Sequence, residues 1–277
     1  MVQAVIYKGV KFLSLYGIDA PYLTSEIVMQ HVLGVEISFI VANPTYPVPI
    51  SKESEFWQLL NKRAKGYPLS HIIGKREFWS NDFIVNQDVL DPRPDSETII
   101  ETVLKYYTNK KQRLKIADFG TGTGCLLTVL LKEYQYSVGI GFEKSFKACR
   151  IAYQNLKRHN LLNRARLFSS SWTKCHMQFD LIVSNPPYIK RSKLKFLQDE
   201  VQKEPNIALD GGINGLECYT SIFVMLQKCL KKNCFAILEI GEDQSGIDKL
   251  VRSYGLAFLE YVYDLSGMKR CVVIKHV

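Results

Sequence analysis

Residues 114–134 read LKIADFGTGTGCLLTVLLKEY, and this stretch decides the fold. It predicts a strand over 114–119, a glycine loop, and a helix over 124–134. Gly120, Gly122 and Gly124 let the backbone turn tightly and approach a ligand closely, with Thr121 and Thr123 between them. The spacing is GxGxG, and Cys125 stands where a GxGxxG pattern would place its last glycine. A strand that leaves through glycines and opens a helix is the context a nucleotide-binding loop requires, although a tight turn alone would use the same residues.

Working toward the C-terminus, the same alternation continues. Strand 138–142 precedes helix 145–159, and strand 179–183 is followed by helix 216–231, strand 235–240 and helix 244–254. Two last strands, near 257–263 and 271–275, join through 264–269, a connection short enough for a hairpin and therefore an antiparallel edge. Upstream, helix 96–107 carries Ile99, Ile100, Val103, Leu104 and Tyr107 on one face. Such strand–helix alternation argues for a doubly wound α/β fold with a mostly parallel sheet.

Toward the N-terminus the pattern changes. Residues 1–65 read as helices: Leu23, Ile27, Val28 and Val32 recur near helical spacing before Gly34, and 52–65 carries Phe56, Leu59, Leu60 and Arg63 before Gly66. The proline-rich stretch 43–50 (NPTYPVPI) is a loop between them. Short extended runs at 71–73 with 76–79, and at 83–85, flank a Ser80-Asn81-Asp82 turn and predict a hairpin. Asp91-Pro92-Arg93-Pro94 cannot sit inside a helix, because proline lacks the amide hydrogen and restrains its predecessor. The expected division is a helical domain over 1–66, a hairpin linker over 67–93 and an α/β domain over 94–277.

Composition bounds the function classes. The chain has 277 residues, 47% hydrophobic and 23% charged, which supplies a core and excludes a disordered chain. No run of 18 apolar residues occurs, which excludes a helical membrane span, and the N-terminus lacks a signal-peptide pattern. A cytoplasmic protein is expected. The formal charge is +9. Residues 1–93 hold nine basic and nine acidic side chains, so the whole excess lies in 94–277. Within 144–195 there are 12 basic residues and one acid, Asp180, a bias that favours an anionic partner or a solvated helix face. The seven cysteines include no CxxC pair, so they are read as reduced and no metal is expected.

Two further features carry chemistry. Glu143 closes the strand after the glycine loop, where a carboxylate accepts hydrogen bonds from both ribose hydroxyls of an adenosine-type ligand. An acid capping helix 145–159 is the plain structural alternative. Ser184-Asn185-Pro186-Pro187-Tyr188 follows strand 179–183, the strand expected beside the glycine loop. Two prolines stiffen this turn and remove two amide hydrogens. The Asn185 side-chain carbonyl and the Pro186 main-chain carbonyl can then accept both hydrogens of an –NH₂ group, while Tyr188 offers a ring for stacking on a planar amide or base. Such a site suits an sp² amino group attacking an electrophilic methyl. Its lone pair is conjugated, so holding its hydrogens and aligning nitrogen is most of the catalysis.

These residues resemble the S-adenosylmethionine-dependent methyltransferases of planar amino groups, and within them the HemK/PrmC family of protein-(glutamine-N5) methyltransferases. The resemblance runs from about residue 20 to 277. Its pieces are 26–34 (EIVMQHVLG), 76–97 (REFWSNDFIVNQDVLDPRPDSE), DFGTGTG, SNPPY, Glu204-Pro205, 208–219 (ALDGGINGLECY), 238–244 (LEIGEDQ) and 264–270 (DLSGMKR). NPPY alone is shared with adenine-amino DNA and RNA methyltransferases; the PRPD-S-E block and ALDGG-x-x-GL are more specific. The resemblance implies a small helical substrate-recognition domain, a hairpin linker and a Rossmann-like catalytic domain. It implies methylation of the glutamine of the Gly-Gly-Gln motif in peptide chain release factors, supporting translation termination, with S-adenosyl-L-homocysteine as product.

Carried over residue by residue, Gly120, Thr121, Gly122, Thr123, Gly124 and Glu143 would hold the cofactor, and Trp172 would pack at its adenine. Asn185, Pro186, Pro187 and Tyr188 would hold the glutamine, with Asn185 also touching the cofactor; Asn185, Pro186 and Tyr188 would serve catalysis. Ser171 stands where the family usually has an acid, and Asp91 where it has an apolar residue. The partner expected is a release factor, met by a monomer that needs neither membrane nor nucleic acid. Three other readings stay open: glutamine methylation of a ribosomal protein, adenine methylation of DNA or RNA, and a basic binding scaffold with a dead pocket. The neutral first 93 residues count against nucleic acid, since affinity for it rests on Lys and Arg. The basic run 190–195 directly after NPPY counts for it.

Overall fold

The computed structural model of the chain describes residues 1–242 and 244–277. Asp243, inside the LEIGEDQ stretch, lies outside the described residues. Contacts divide the chain into two compact units, Met1–Gly74 with Gln198–Lys203, and Lys75–Leu197 with Glu204–Val277.

The first unit is helical: α1 (Val2–Leu15), α2 (Pro21–Leu33), α3 (Ile37–Ala42), α4 (Ile50–Ala64) and α5 (Leu69–Ile73). Ile6, Leu13, Val28, Met29, Phe56 and Leu60 close its core with essentially no exposure. Gly34 ends α2 in the left-handed conformation, the stop that its position suggests. The run at 71–73 is not extended. Pro68 stands just before the first turn of α5, where its missing amide costs nothing, and left-handed Gly74 ends the helix.

The second unit opens with a hairpin of β1 (Lys75–Phe78) and β2 (Asn81–Ile84). Its turn is Trp79-Ser80, both left-handed at φ 51° and 53°, rather than Ser80-Asn81-Asp82. Tertiary bonds hold this unfavourable turn: the Trp79 amide donates to Glu97 Oε1 at 2.7 Å and its indole N–H to Glu133 Oε1 at 3.1 Å. The chain continues through α6 (Glu97–Tyr106), β3 (Lys115–Phe119), α7 (Cys125–Glu133), β4 (Val138–Phe142), α8 (Phe146–Arg158), β5 (Ala165–Phe168) and β6 (Phe179–Ser184). Then come α9 (Asp199–Gln202), which belongs to the first unit, α10 (Glu217–Cys229), β7 (Leu230–Glu239), α11 (Ile247–Ser253), β8 (Ala257–Tyr263) and β9 (Lys269–Lys275). Strand β5 has no counterpart in the sequence reading.

Among the described residues seven strands form one sheet in the order β5-β4-β3-β6-β7-β9-β8. The first five run parallel, and β9 pairs antiparallel with both β7 and β8. Leu127, Leu130 and Leu131 of α7, with Ile99, Ile100 and Val103 of α6, cover one face. The other is covered by Ile222, Phe223 and Leu226 of α10 and Ile247 and Val251 of α11. Strand order reverses between β3 and β6. In open α/β sheets a ligand crevice forms at that reversal, beyond the carboxyl ends of the strands.

Candidate active site

The loop after β3 and the loop after β6 meet at this reversal, since Asp118 pairs with Val183 across the two strands. The amides of Gly120 and Thr121 both donate to the Phe142 carbonyl, at 2.8 and 3.0 Å, and tie the glycine loop to the end of β4. Thr121 Oγ1 donates to Asp118 Oδ2 at 2.6 Å. The other oxygen of Asp118 is buried without a partner among the described residues, and burial pushes this carboxyl up to about 7. Gly124 faces away from the crevice: a Cβ there would lie 3.3 Å from Ala152 Cβ, so the glycine serves the close packing of α7 on α8.

Glu143 has both carboxylate oxygens fixed, Oε2 by the Gly122 amide at 3.0 Å and Oε1 by the Ser145 amide at 2.8 Å. Each oxygen keeps acceptor capacity for a ligand hydroxyl. Glu143 thus holds the amide of Ser145 at the entry to α8, while the Ser145 hydroxyl accepts from the Ala148 amide as the helix's own cap. Trp172 stacks on Phe119 at 6.1 Å and 13°, and its indole N–H donates to Ser221 Oγ at 3.1 Å. Ser171, in the position where an acid was anticipated, accepts from the Thr173 amide and caps the turn that carries the tryptophan.

On the β6 side, Ser184 Oγ donates to the Phe119 carbonyl at 2.5 Å. Asn185 Nδ2 donates to Ser96 Oγ at 3.0 Å, and Ser96 Oγ donates to Glu239 Oε2 at 2.5 Å. Tyr188 donates its hydroxyl to Glu239 Oε1 at 3.2 Å. Its ring lies against Gly241, where a Cβ would stand 2.9 Å from Tyr188 Cδ2. Burial drives the Tyr188 phenol well above its ordinary range, so it acts as a neutral donor. Glu239 is fully buried, and burial pushes its carboxyl up to about 7.

A cavity of about 370 Å³ joins the two loops, within the range of small-molecule clefts. Gly120, Thr121, Gly122, Thr123, Glu143, Trp172, Asn185 and Pro187 line it, and Gly124, Pro186 and Tyr188 do not. The wall also takes in Ser96 and Arg93, to which no local motif assigns a role. Arg93 Nη2 donates to Glu204 Oε1 at 2.7 Å, and burial pushes that carboxyl up to about 7. Asp91 Oδ2 lies 3.7 Å from Arg76 and 3.9 Å from Arg93. The acid at this unusual position therefore sits between two guanidinium groups, with its Oδ1 buried and without a hydrogen-bond partner among the described residues.

Residues 4–74 match the PrmC N-terminal domain and residues 90–212 the methyltransferase small domain. The release factor glutamine methyltransferase of Agrobacterium fabrum is 33% identical, over 99% of this chain and 97% of its own length. The chain belongs to the release factor glutamine methyltransferase family. The family's enzyme from Caulobacter vibrioides is 35% identical, over 93% of this chain and 90% of its own. Among solved structures, the hMettl16 catalytic domain in complex with MAT2A 3'UTR hairpin 6 superposes with TM-score 0.58 at 16% identity, covering 79% of this chain and 81% of that one. That likeness shows a shared methyltransferase fold. Within the stretches 92–97 and 238–244, Ser96 and Glu239 stand out as polar residues at buried positions. A lone acid closing an apolar strand is the signal that could have singled out Glu239.

Proposed function

We propose that this enzyme transfers a methyl group from S-adenosylmethionine to the side-chain amide nitrogen of a release factor glutamine, in the Gly-Gly-Gln motif. The observation that carries the reading is the single cavity uniting Glu143 and the glycine loop with Asn185, whose NH₂ is committed to Ser96. The fixed carboxylate of Glu143, the aromatic wall of Trp172 and the glycine loop suit an adenosine-type group. These residues would hold the cofactor. When bound, S-adenosylmethionine supplies an electrophilic methyl.

The chain's own task is to hold the nitrogen. With Nδ2 engaged, Asn185 keeps its carbonyl oxygen for one hydrogen of the substrate amide; the Pro186 carbonyl is the proposed second acceptor. Pro187 completes the glutamine site at the cavity wall, and Tyr188 braces the loop behind it through Gly241 and Glu239. Holding both hydrogens aligns the nitrogen and stabilises the positive charge that develops there. No strong base is required, because the proton becomes acidic once the methyl has joined nitrogen. The reading carries with it helical substrate recognition by residues 1–66, a linker over 67–93, and a monomer working in the cytoplasm. Among the described residues no helix is long and apolar enough to cross a membrane.

Labelled S-adenosylmethionine offered with a release factor, its Gly-Gly-Gln→Gly-Gly-Ala variant and DNA tests the proposal. Label on the intact factor alone is the expected result. Label on DNA would replace the reading with adenine methylation.

A further inference from the structure

An asparagine side chain has two ends of nearly equal size and opposite hydrogen-bonding character. Which end faces a ligand is set by what the other end meets. At Asn185 that setting comes from outside the SNPPY loop. Ser96 lies in the short turn Pro94–Ser96 that precedes α6, and Glu239 closes β7, the strand beside β6. Two segments remote in sequence, the turn before α6 and the end of β7, therefore set this one asparagine.

The direction of this chain follows from proton counting. The Ser96 hydroxyl has one hydrogen, and it is given to Glu239 Oε2 at 2.5 Å. Toward Asn185 the serine can offer only lone pairs, so the atom 3.0 Å away must be the amide nitrogen. The second oxygen of Glu239 takes the Tyr188 hydroxyl at 3.2 Å. One carboxylate, 1% exposed, thus receives hydroxyls that fix both Asn185 and Tyr188. We infer that Glu239 is a positioning residue, which through Ser96 sets the amide of Asn185 with its carbonyl oxygen toward the substrate nitrogen. The inference rests on the methyl-transfer reading above and deepens it.

The reverse orientation would set NH₂ against NH₂, two donors with no acceptor between them. An apolar residue at 239 would permit that orientation: the Ser96 hydrogen, deprived of its acceptor, becomes free to point at the Asn185 carbonyl. Glutamine at 239 would largely prevent it. Its amide oxygen can still accept from Ser96 while its nitrogen donates to the Tyr188 oxygen.

The ionised carboxylate is the form that enforces the arrangement. A protonated Glu239 could donate to Ser96 and release the serine hydrogen. Arg270 favours the ionised form and Asp95 opposes it, while the Ser96 and Tyr188 hydroxyls bond to the carboxylate. Tyr219 and Cys271 also face it and are held neutral by burial. Activity carried by this arrangement therefore rises with pH through the neutral region.

The test uses the full-length enzyme at pH 8 with labelled S-adenosylmethionine and a release factor. Ser96→Ala and Glu239→Leu are each expected to lower kcat by about 10- to 100-fold, the scale of one misplaced buried hydrogen bond. The loss should fall mainly on kcat, with a smaller change in cofactor affinity by calorimetry, since Ser96 and Asn185 line the cavity that Glu143 and the glycine loop share. The double variant should be no slower than the worse single one, because both act through one amide. Glu239→Gln should recover at least tenfold over Glu239→Leu. Near-normal kcat in Ser96→Ala overturns the inference, as do losses that multiply in the double variant. If Glu239→Leu fails to fold by circular dichroism, Ser96→Ala with Ser96→Thr as its rescue decides the matter. A wild-type enzyme that labels DNA but not the release factor overturns the proposed substrate. The relay is then judged by the same variants on the substrate that is labelled.

Discussion

Replacing Glu143 with glutamine removes one negative charge and changes almost no volume. Both oxygens of Glu143 accept backbone amides, from Gly122 at 3.0 Å and Ser145 at 2.8 Å. Glutamine can satisfy only one of these donors with its oxygen; its NH₂ must then face the other N–H. A hydrogen bond to a charged group contributes about 1.5–3 kcal/mol. The ligand hydroxyl facing the new NH₂ loses its acceptor as well. Part of the first loss also burdens the free enzyme, where loop amides can turn to water. The expected net penalty on binding is about 2–4 kcal/mol, or roughly 30- to 1000-fold in Kd. Calorimetric titration of S-adenosylhomocysteine into wild type and Glu143→Gln measures it directly, with far-ultraviolet circular dichroism confirming an intact fold. A Kd within about twofold of wild type would refute the assignment of Glu143 to the ligand.

Asp118, Glu204 and Glu239 are each pushed up to about 7 by burial. Since their folded values lie above the unfolded carboxylate range, the protonated fold binds more protons than the unfolded chain below 7. Their contribution is full below about pH 4 and lost as pH rises through 7. The melting temperature should therefore increase from pH 8 to pH 5.5, and a curve that is flat or falls toward acid contradicts this. Gly141→Ala would place a Cβ 2.7 Å from Leu167 Cδ2 and 3.0 Å from Thr121 Cγ2. Overpacking of this kind costs about 1–3 kcal/mol, read as a lower urea midpoint, and an unchanged midpoint would show that the loop yields freely. Replacing Lys190, Lys193 and Lys195 with serine should lower kcat/KM for the release factor at low salt and much less at high salt. Equal loss at both ionic strengths would exclude electrostatic steering.

What the sequence made legible is what is written locally. The strand, glycine loop and helix over 114–134 could be read because apolar period and glycine spacing agree within about twenty residues. The adjacency of β3 and β6, and the antiparallel edge, followed from alternation and connection length. Strand β5 escaped because it is four residues long, lies at the sheet edge and carries Arg166. The Trp79-Ser80 turn escaped because nothing local favours an aromatic residue in the left-handed region; Glu97 and Glu133 hold it there from α6 and α7. At the site, the glycine loop, Glu143 and NPPY were visible as motifs. The Ser96–Glu239 pair was not, because its members lie 143 positions apart and matter only once the sheet aligns them. Asp91 had no local rationale either, and finds one only between Arg76 and Arg93.

The position of β9 has a consequence for biosynthesis. It lies between β7 and β8, so β8 is made before the strand it must pair with, and the free edge of β7 stays open in the meantime. A growing chain carries both unpaired edges until 269–275 have emerged from the ribosome. Cys271, Val272, Val273 and Ile274 are then buried together. Open edges of this kind invite pairing with other chains. Removal of these seven residues would expose the same edges permanently. The stretch that protects the sheet is thus the last of its strands to be translated.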